Sequence, residues 1–251
     1  MGALLNCKES EMGDSNDLKV LAHRLREIFQ DVYNELKSRV LTDRTLDREV
    51  LDILRDFEVS DGELEIKFSE PKDSIYRAES GRTPYDLLCF GSINGKEFRI
   101  FINNKFGNLF SNARNDITTY NNLLRLYLGI SRQRLTSKIT IDGGLIYRRV
   151  SGEEIVSYAV FVVDNKNRGA RFFLLEEIKD GFYVNPRNTM FQIKYNPKIG
   201  DPVDYYTFCT SLIDAVLQSL EKAINTIRTE VIVLSKIKEE LTNIKRKVEN
   251  G

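Results

Sequence analysis

Asp86 and Lys105 are the residues of this chain whose types and spacing most readily suggest chemistry. They bracket the stretch Pro84 to Lys105, P-Y-D-L-L-C-F-G-S-I-N-G-K-E-F-R-I-F-I-N-N-K. Two β-rich runs flank Asn94-Gly95, a dipeptide that favours the positive φ angles of a tight hairpin turn. The acid therefore opens one strand and the lysine closes its neighbour. Residues two apart on a strand share a face, so Asn103 and Lys105 are expected to point the same way, with Asp86 converging on them. Carboxylate, amide and carbonyl oxygens suit a hard divalent cation such as Mg²⁺. Such an ion acidifies bound water and neutralises charge on a phosphoryl group, and a lysine beside it can orient that water or stabilise that charge.

The rest of the composition removes rival chemistries. His23 is the single histidine, which excludes paired-histidine metal sites and argues against a histidine-based nucleophilic triad. The cysteines Cys7, Cys89 and Cys209 are far apart and fit no zinc spacing. This sparse set suggests a reducing compartment, and a cytoplasmic location is expected. The 37 basic and 37 acidic side chains cancel, so binding of nucleic acid would require a local basic groove. No window approaches the ~18 consecutive apolar residues of a membrane span.

The hairpin resembles the PD-(D/E)xK nuclease superfamily, and its type II restriction endonucleases in particular. Pro84-Tyr85-Asp86 stands for the first half of that motif and Asn103-Asn104-Lys105, 17 residues beyond Asp86, for the second. The resemblance implies a Mg²⁺- or Mn²⁺-dependent, sequence-specific endonuclease of double-stranded DNA. It assigns catalytic roles to Asp86, Asn103 and Lys105. One extra residue separates Pro84 from Asp86, and Asn103 stands where the motif has a second acid. An amide oxygen still ligates a cation but brings no charge, so another carboxylate must help. The family often draws one from a preceding helix, and Glu49 is the first choice for the metal set Asp86, Asn103 and Glu49. Glu35, Asp61 and Glu63 are alternatives. The missing acid also keeps open a second reading, an inactive DNA- or protein-binding module derived from a nuclease fold.

The elements that must position these residues follow from periodicity. Residues 1–13 are expected to form a mobile end, 14–202 one catalytic and DNA-binding domain, and 203–251 a helical part packed on it. Leu18, Leu21, Leu25, Phe29, Val32 and Leu36 predict a helix to about Val40, and Leu46, Val50 and Leu54 a second over 43–57. A short strand is expected at 64–68, a polar loop at 69–82, a helix over 116–128 ended by Gly129, β-runs from 138 to 195, and a long helix or two stacked ones after 203. The fold class is α/β or α+β, a mixed central β-sheet flanked by helices with a long C-terminal helix, restriction-endonuclease-like by resemblance.

Polar and basic residues gather in the turns. Asn108, Asn112 and Arg114 follow the hairpin, and Arg132, Arg134, Arg148, Arg168, Arg187 and Asn188 stand at later turns. Arg and Lys suit phosphates or guanine edges, and Asn suits adenine, so these nine are the candidate DNA contacts, although each is also an ordinary turn residue. Leu234, Ile237, Leu241, Ile244 and Val248 make a short heptad seam. A homodimer is expected, which would match the two-fold symmetry of a palindromic site.

Overall fold

A computed structural model of the protein describes residues 2–71, 85–132, 139–141, 154–166, 168–185 and 188–249; side chains are described outside 2–14, 130–132, 139–141 and 243–249. Helix α1 (Gly2–Leu36) reaches back to Gly2 instead of starting at residue 14. No proline interrupts residues 2–13, so the helical run continues through them. Helix α2 (Leu46–Leu54) is shorter than expected and buries Leu46, Val50 and Leu54. Strands β1 (Glu58–Asp61) and β2 (Leu64–Ser69) pair as a hairpin.

The central hairpin forms as the sequence predicts. Strands β3 (Leu87–Ile93) and β4 (Lys96–Gly107) join at Asn94 (φ 52°) and Gly95 (φ 78°), both in the left-handed region that this turn requires. The 116–128 expectation divides in two. Arg114–Thr119 is strand β5 and only Tyr120–Leu128 is helix α3. The β-branched run Ile117-Thr118-Thr119 favours extension. Thr119 then caps the helix, its Oγ1 accepting from Asn122 N at 3.3 Å. Gly129, at φ 61°, ends it as expected.

Short strands β6 (Ile130–Arg132) and β7 (Ile139–Ile141) pair with each other. Strand β8 (Glu154–Asp164) is buried along its whole length, as its run of apolar residues requires of a strand covered on both faces. Strand β9 (Ala170–Leu174) precedes a 3-10 turn at Leu175–Glu177, and β10 (Tyr183–Val184) and β11 (Met190–Lys194) follow. A single helix α4 (Tyr205–Glu249) closes the chain. The loop expected at 69–82 falls largely outside the described residues.

The principal sheet runs β1-β2-β3-β4-β8-β9, antiparallel except for the parallel pair β4/β8, and β10-β11-β5 form a second sheet. The architecture is therefore α+β with a mixed central sheet and a long C-terminal helix. One face packs α1 and α2 through Leu21, Leu25, Phe29 and Val50 onto Cys89, Ile100 and Ile102. The other face packs α3, β11 and the first turns of α4 through Leu123, Phe191 and Phe208 onto Phe101, Tyr158 and Val160. Strand β4 lies between the two cores, and its C-terminal half carries Asn103, Asn104 and Lys105.

Candidate active site

Asp86 sits one residue before β3, fixed by its own backbone: Asp86 N donates to Ile102 O at 2.9 Å. The β3/β4 register pairs Leu87 with Ile102, which sets Asp86 level with Asn103. Its side chain reaches the next residue, and Asp86 Oδ2 accepts from Asn104 N at 2.8 Å. The Asn104 side chain extends toward α2, where its Nδ2 donates to Asp47 Oδ1 at 3.2 Å. Asn104 thus joins two carboxylates, one through its main chain and the other through its amide.

The carboxylates feel each other. Burial, followed by the field of Asp47, pushes the Asp86 carboxyl up to about 6, against the pull of the Asn104 N–H and Lys105; Asp43 pushes it further up. Asp47 is exposed overall, but partial desolvation where its carboxyl meets Asn104 raises it, with Asp43 adding to the rise while the Asn104 amide and Lys105 oppose it. Two acids held at a high cost in proton affinity, with an ammonium in range of both, form an electrostatic arrangement that a cation relieves.

Asn103 faces the second core. Its Nδ2 donates to Ile117 O at 3.2 Å, and the Tyr158 hydroxyl lies against its amide. Burial and the nearby Asp86 charge raise the Tyr158 hydroxyl's proton affinity, so it stays a neutral phenol. The Oδ1 atoms of Asn103 and Asn104 are both buried without a hydrogen-bond partner among the described residues. Buried polar oxygens are normally satisfied, so two orphaned acceptors beside two raised carboxyls fit a hard, oxygen-seeking cation. Among the described residues no group of three or more His, Cys, Asp or Glu side chains gathers as a metal site. The donor set here is two carboxylates supplemented by amide oxygens.

Glu49 lies on a different side of α2. Its carboxylate pairs with Arg39 at 2.6 Å and Arg48 at 3.1 Å, and both hydrogen bonds lower its proton affinity. Residues two apart on a helix do not face each other: Asp47 meets Asn104, whereas Glu49 meets the arginines. The carboxylate that joins Asp86 is Asp47. The buried stripe Leu46, Val50, Leu54 is the sequence signal that could have found it, because Asp43 and Asp47 flank one edge of that stripe and Glu49 the other. Asp61 and Glu63 lie beside the Asn94-Gly95 turn, at the opposite end of β3 from Asp86, and Glu35 is exposed.

The candidate DNA contacts divide. Asn112 is exposed, and Arg114, also exposed, lies over the Tyr183 ring at 4.9 Å. Asn108 Oδ1 accepts from Phe110 N and Arg168, and Asn188 Oδ1 accepts from Met190 N. Arg168 is bound to the buried Asp164 at 3.0 Å. Arg132 lies on β6 with its side chain outside the described residues, and Arg134, Arg148 and Arg187 lie outside them altogether. Among the described residues no helix is long and apolar enough to cross a membrane.

No protein-family profile matches the chain. The type II restriction enzyme MjaIV of Methanocaldococcus jannaschii is 64% identical to it over 232 residues, 92% of this chain and 95% of that enzyme.

Proposed function

The chain belongs to the type II restriction enzymes, and from that membership we propose that it is a sequence-specific endonuclease of double-stranded DNA whose reaction depends on Mg²⁺ or Mn²⁺. The observation that carries the assignment of its active site is the Asp86–Asn104–Asp47 linkage with Lys105 at the end of β4. Asp86 and Asp47 would hold the cation, with Asn103 Oδ1 or Asn104 Oδ1 as neutral donors. The bound cation supplies an acidified water and charge neutralisation at the phosphate. Lys105 contributes a fixed positive charge and three N–H donors to the attacking water or to the phosphoryl oxygens. Asn104 keeps the two carboxylates in register, and Tyr158 holds the Asn103 amide from behind.

The test is cleavage of a plasmid or mixed-sequence DNA in the presence of Mg²⁺ or Mn²⁺. Wild type should give discrete fragments, and Asp86→Ala and Lys105→Ala should give none. Uncut DNA with both cations and many substrates would overturn the reading.

A second copy of the chain completes the proposal. Beyond its first turns α4 exposes Leu217, Leu220, Ile224, Ile227, Val231 and Leu234, each between 40% and 64% accessible. Their alternating steps of three and four residues make a heptad seam that shares Leu234 and Leu241 with the sequence-based expectation and begins earlier than it. Leu217, Ile224 and Val231 fall at one heptad position and Leu220, Ile227 and Leu234 at the other, the apolar seam of a coiled coil. Sedimentation should give a dimer, and a monomer at micromolar concentration would overturn this part.

A further inference from the structure

Phe110 is an exposed aromatic built into a rigid mount. It is 62% accessible, the most exposed aromatic side chain among the described residues. It occupies a turn closed by Ser111 N donating to Asn108 O at 3.2 Å, and Leu109, just before it, is buried in the second core. The Arg168 guanidinium lies over the ring at 4.1 Å.

The mount is organised by Asp164, which is fully buried at the end of β8. Its carboxylate accepts from Leu109 N at 3.1 Å, from Lys166 N at 2.9 Å and from Arg168 Nε and Nη2 at 3.0 and 3.2 Å. The same guanidinium reaches Asn108 Oδ1 at 3.2 Å, and Phe110 N donates to that oxygen at 2.9 Å. Asn165 N donates to Gly107 O at 2.9 Å, tying the two loops together. This network fixes Phe110 in the open, with the Arg168 guanidinium over its ring. A ring held in water by so many bonds loses little freedom when something stacks on it.

Its position relates it to the chemistry. Phe110 lies five residues beyond Lys105, and so within about 17 Å of it along the chain. That distance is about five base steps at 3.4 Å each.

We propose that Phe110 is a wedge that enters a base step of the bound duplex, with Arg168 and Asp164 as its positioning residues. This rests on the DNA-cleaving reading above. Apolar side chains entering a step partly unstack it and bend the duplex, and the flat ring offers a face to any base. Arg168, whose guanidinium is bonded on two sides and stacked on a third, serves to aim the ring.

The test uses duplexes carrying the sequence that the wild-type enzyme cuts, with 2-aminopurine in place of each adenine in turn. The Asp86→Asn protein, silenced for cleavage, should brighten the probe at one position. Adding Phe110→Ala should abolish the brightening and weaken binding roughly 5- to 150-fold, the range of one lost base–aromatic stack. Phe110→Tyr should retain both. The slope of affinity against salt should be the same in all three, because no phosphate contact is lost. Equal affinity and equal emission for the Ala variant would overturn the wedge while leaving the nuclease reading intact. Failure of wild type to bind or cut any duplex would overturn the nuclease reading, and the wedge with it.

Discussion

Replacing Asp86 by Asn should make the protein more stable while abolishing cleavage. Asp86 is half-buried, and its carboxyl is raised from 3.8 to about 6 first by desolvation and then by Asp47. The difference corresponds to on the order of 3 kcal/mol against the charged form. The sign follows from linkage. Below pH 3.8 both folded and unfolded chains hold the proton and the group contributes no penalty. As pH rises toward about 6, the unfolded chain releases its proton first and stability falls. Above about 6 the loss is complete. Asn keeps an oxygen for the Asn104 N–H and removes the charge, so the variant's advantage should grow from near zero at pH 4 to a plateau above pH 6.5. For a domain of this size the plateau is a rise in melting temperature of about 6–12 °C. Thermal melts of both proteins in EDTA across pH 4–8 would read it, and Mg²⁺ should then raise the melting temperature of wild type alone. An Asn variant equally or less stable than wild type at pH 8 would refute the reasoning, since Asp86 would then carry no strained charge.

Asp47→Asn should reduce cleavage by at least about 100-fold, as expected for loss of a metal-holding group, whereas Glu49→Gln should stay within a few-fold of wild type in the same assay. Titration of Asp86 by carbon NMR in metal-free protein should give a midpoint near 6, moving down in Asp47→Asn and up in Lys105→Ala. Cleavage rates at limiting Mg²⁺ should fall as pH drops through that midpoint. Leu220→Asp combined with Ile227→Asp should convert a dimer to a monomer in sedimentation without lowering the melting temperature of the catalytic body.

The hairpin was legible because its signals are local: Asn94-Gly95 needs positive φ, and β-branched and aromatic runs flank it. The stripe of α1 was legible for the same reason. Asp47 was missed because the choice between it and Glu49 depends on how α2 is rotated against β4, and tertiary packing sets that rotation. The division of 116–128 into strand and helix was missed because β5 is made by pairing with β11, more than seventy residues away. Asn104 was passed over because a motif reads alternate residues, whereas here the intervening one connects the carboxylates through its main chain on one side and its amide on the other. The long helix was expected, but its seam was seen only from Leu234 onward. The earlier repeats, beginning near Leu217, were indistinguishable from core until the structure left them exposed.

The exposed face of α4 has a consequence for kinetics. Among the described residues the partners of the Asp86 centre come from β4 and α2, so if two copies associate through α4, the strength of that association would change without altering the chemistry of a single cut. If one body cuts one strand, enzyme diluted below the dissociation constant of the dimer would release nicked circles, and enzyme above it linear molecules. The order of double-strand breakage in enzyme concentration would then pass from two toward one across that threshold. The helix would act as a molecularity switch, letting the cell's stock of enzyme decide whether a foreign duplex is nicked and repairable or broken.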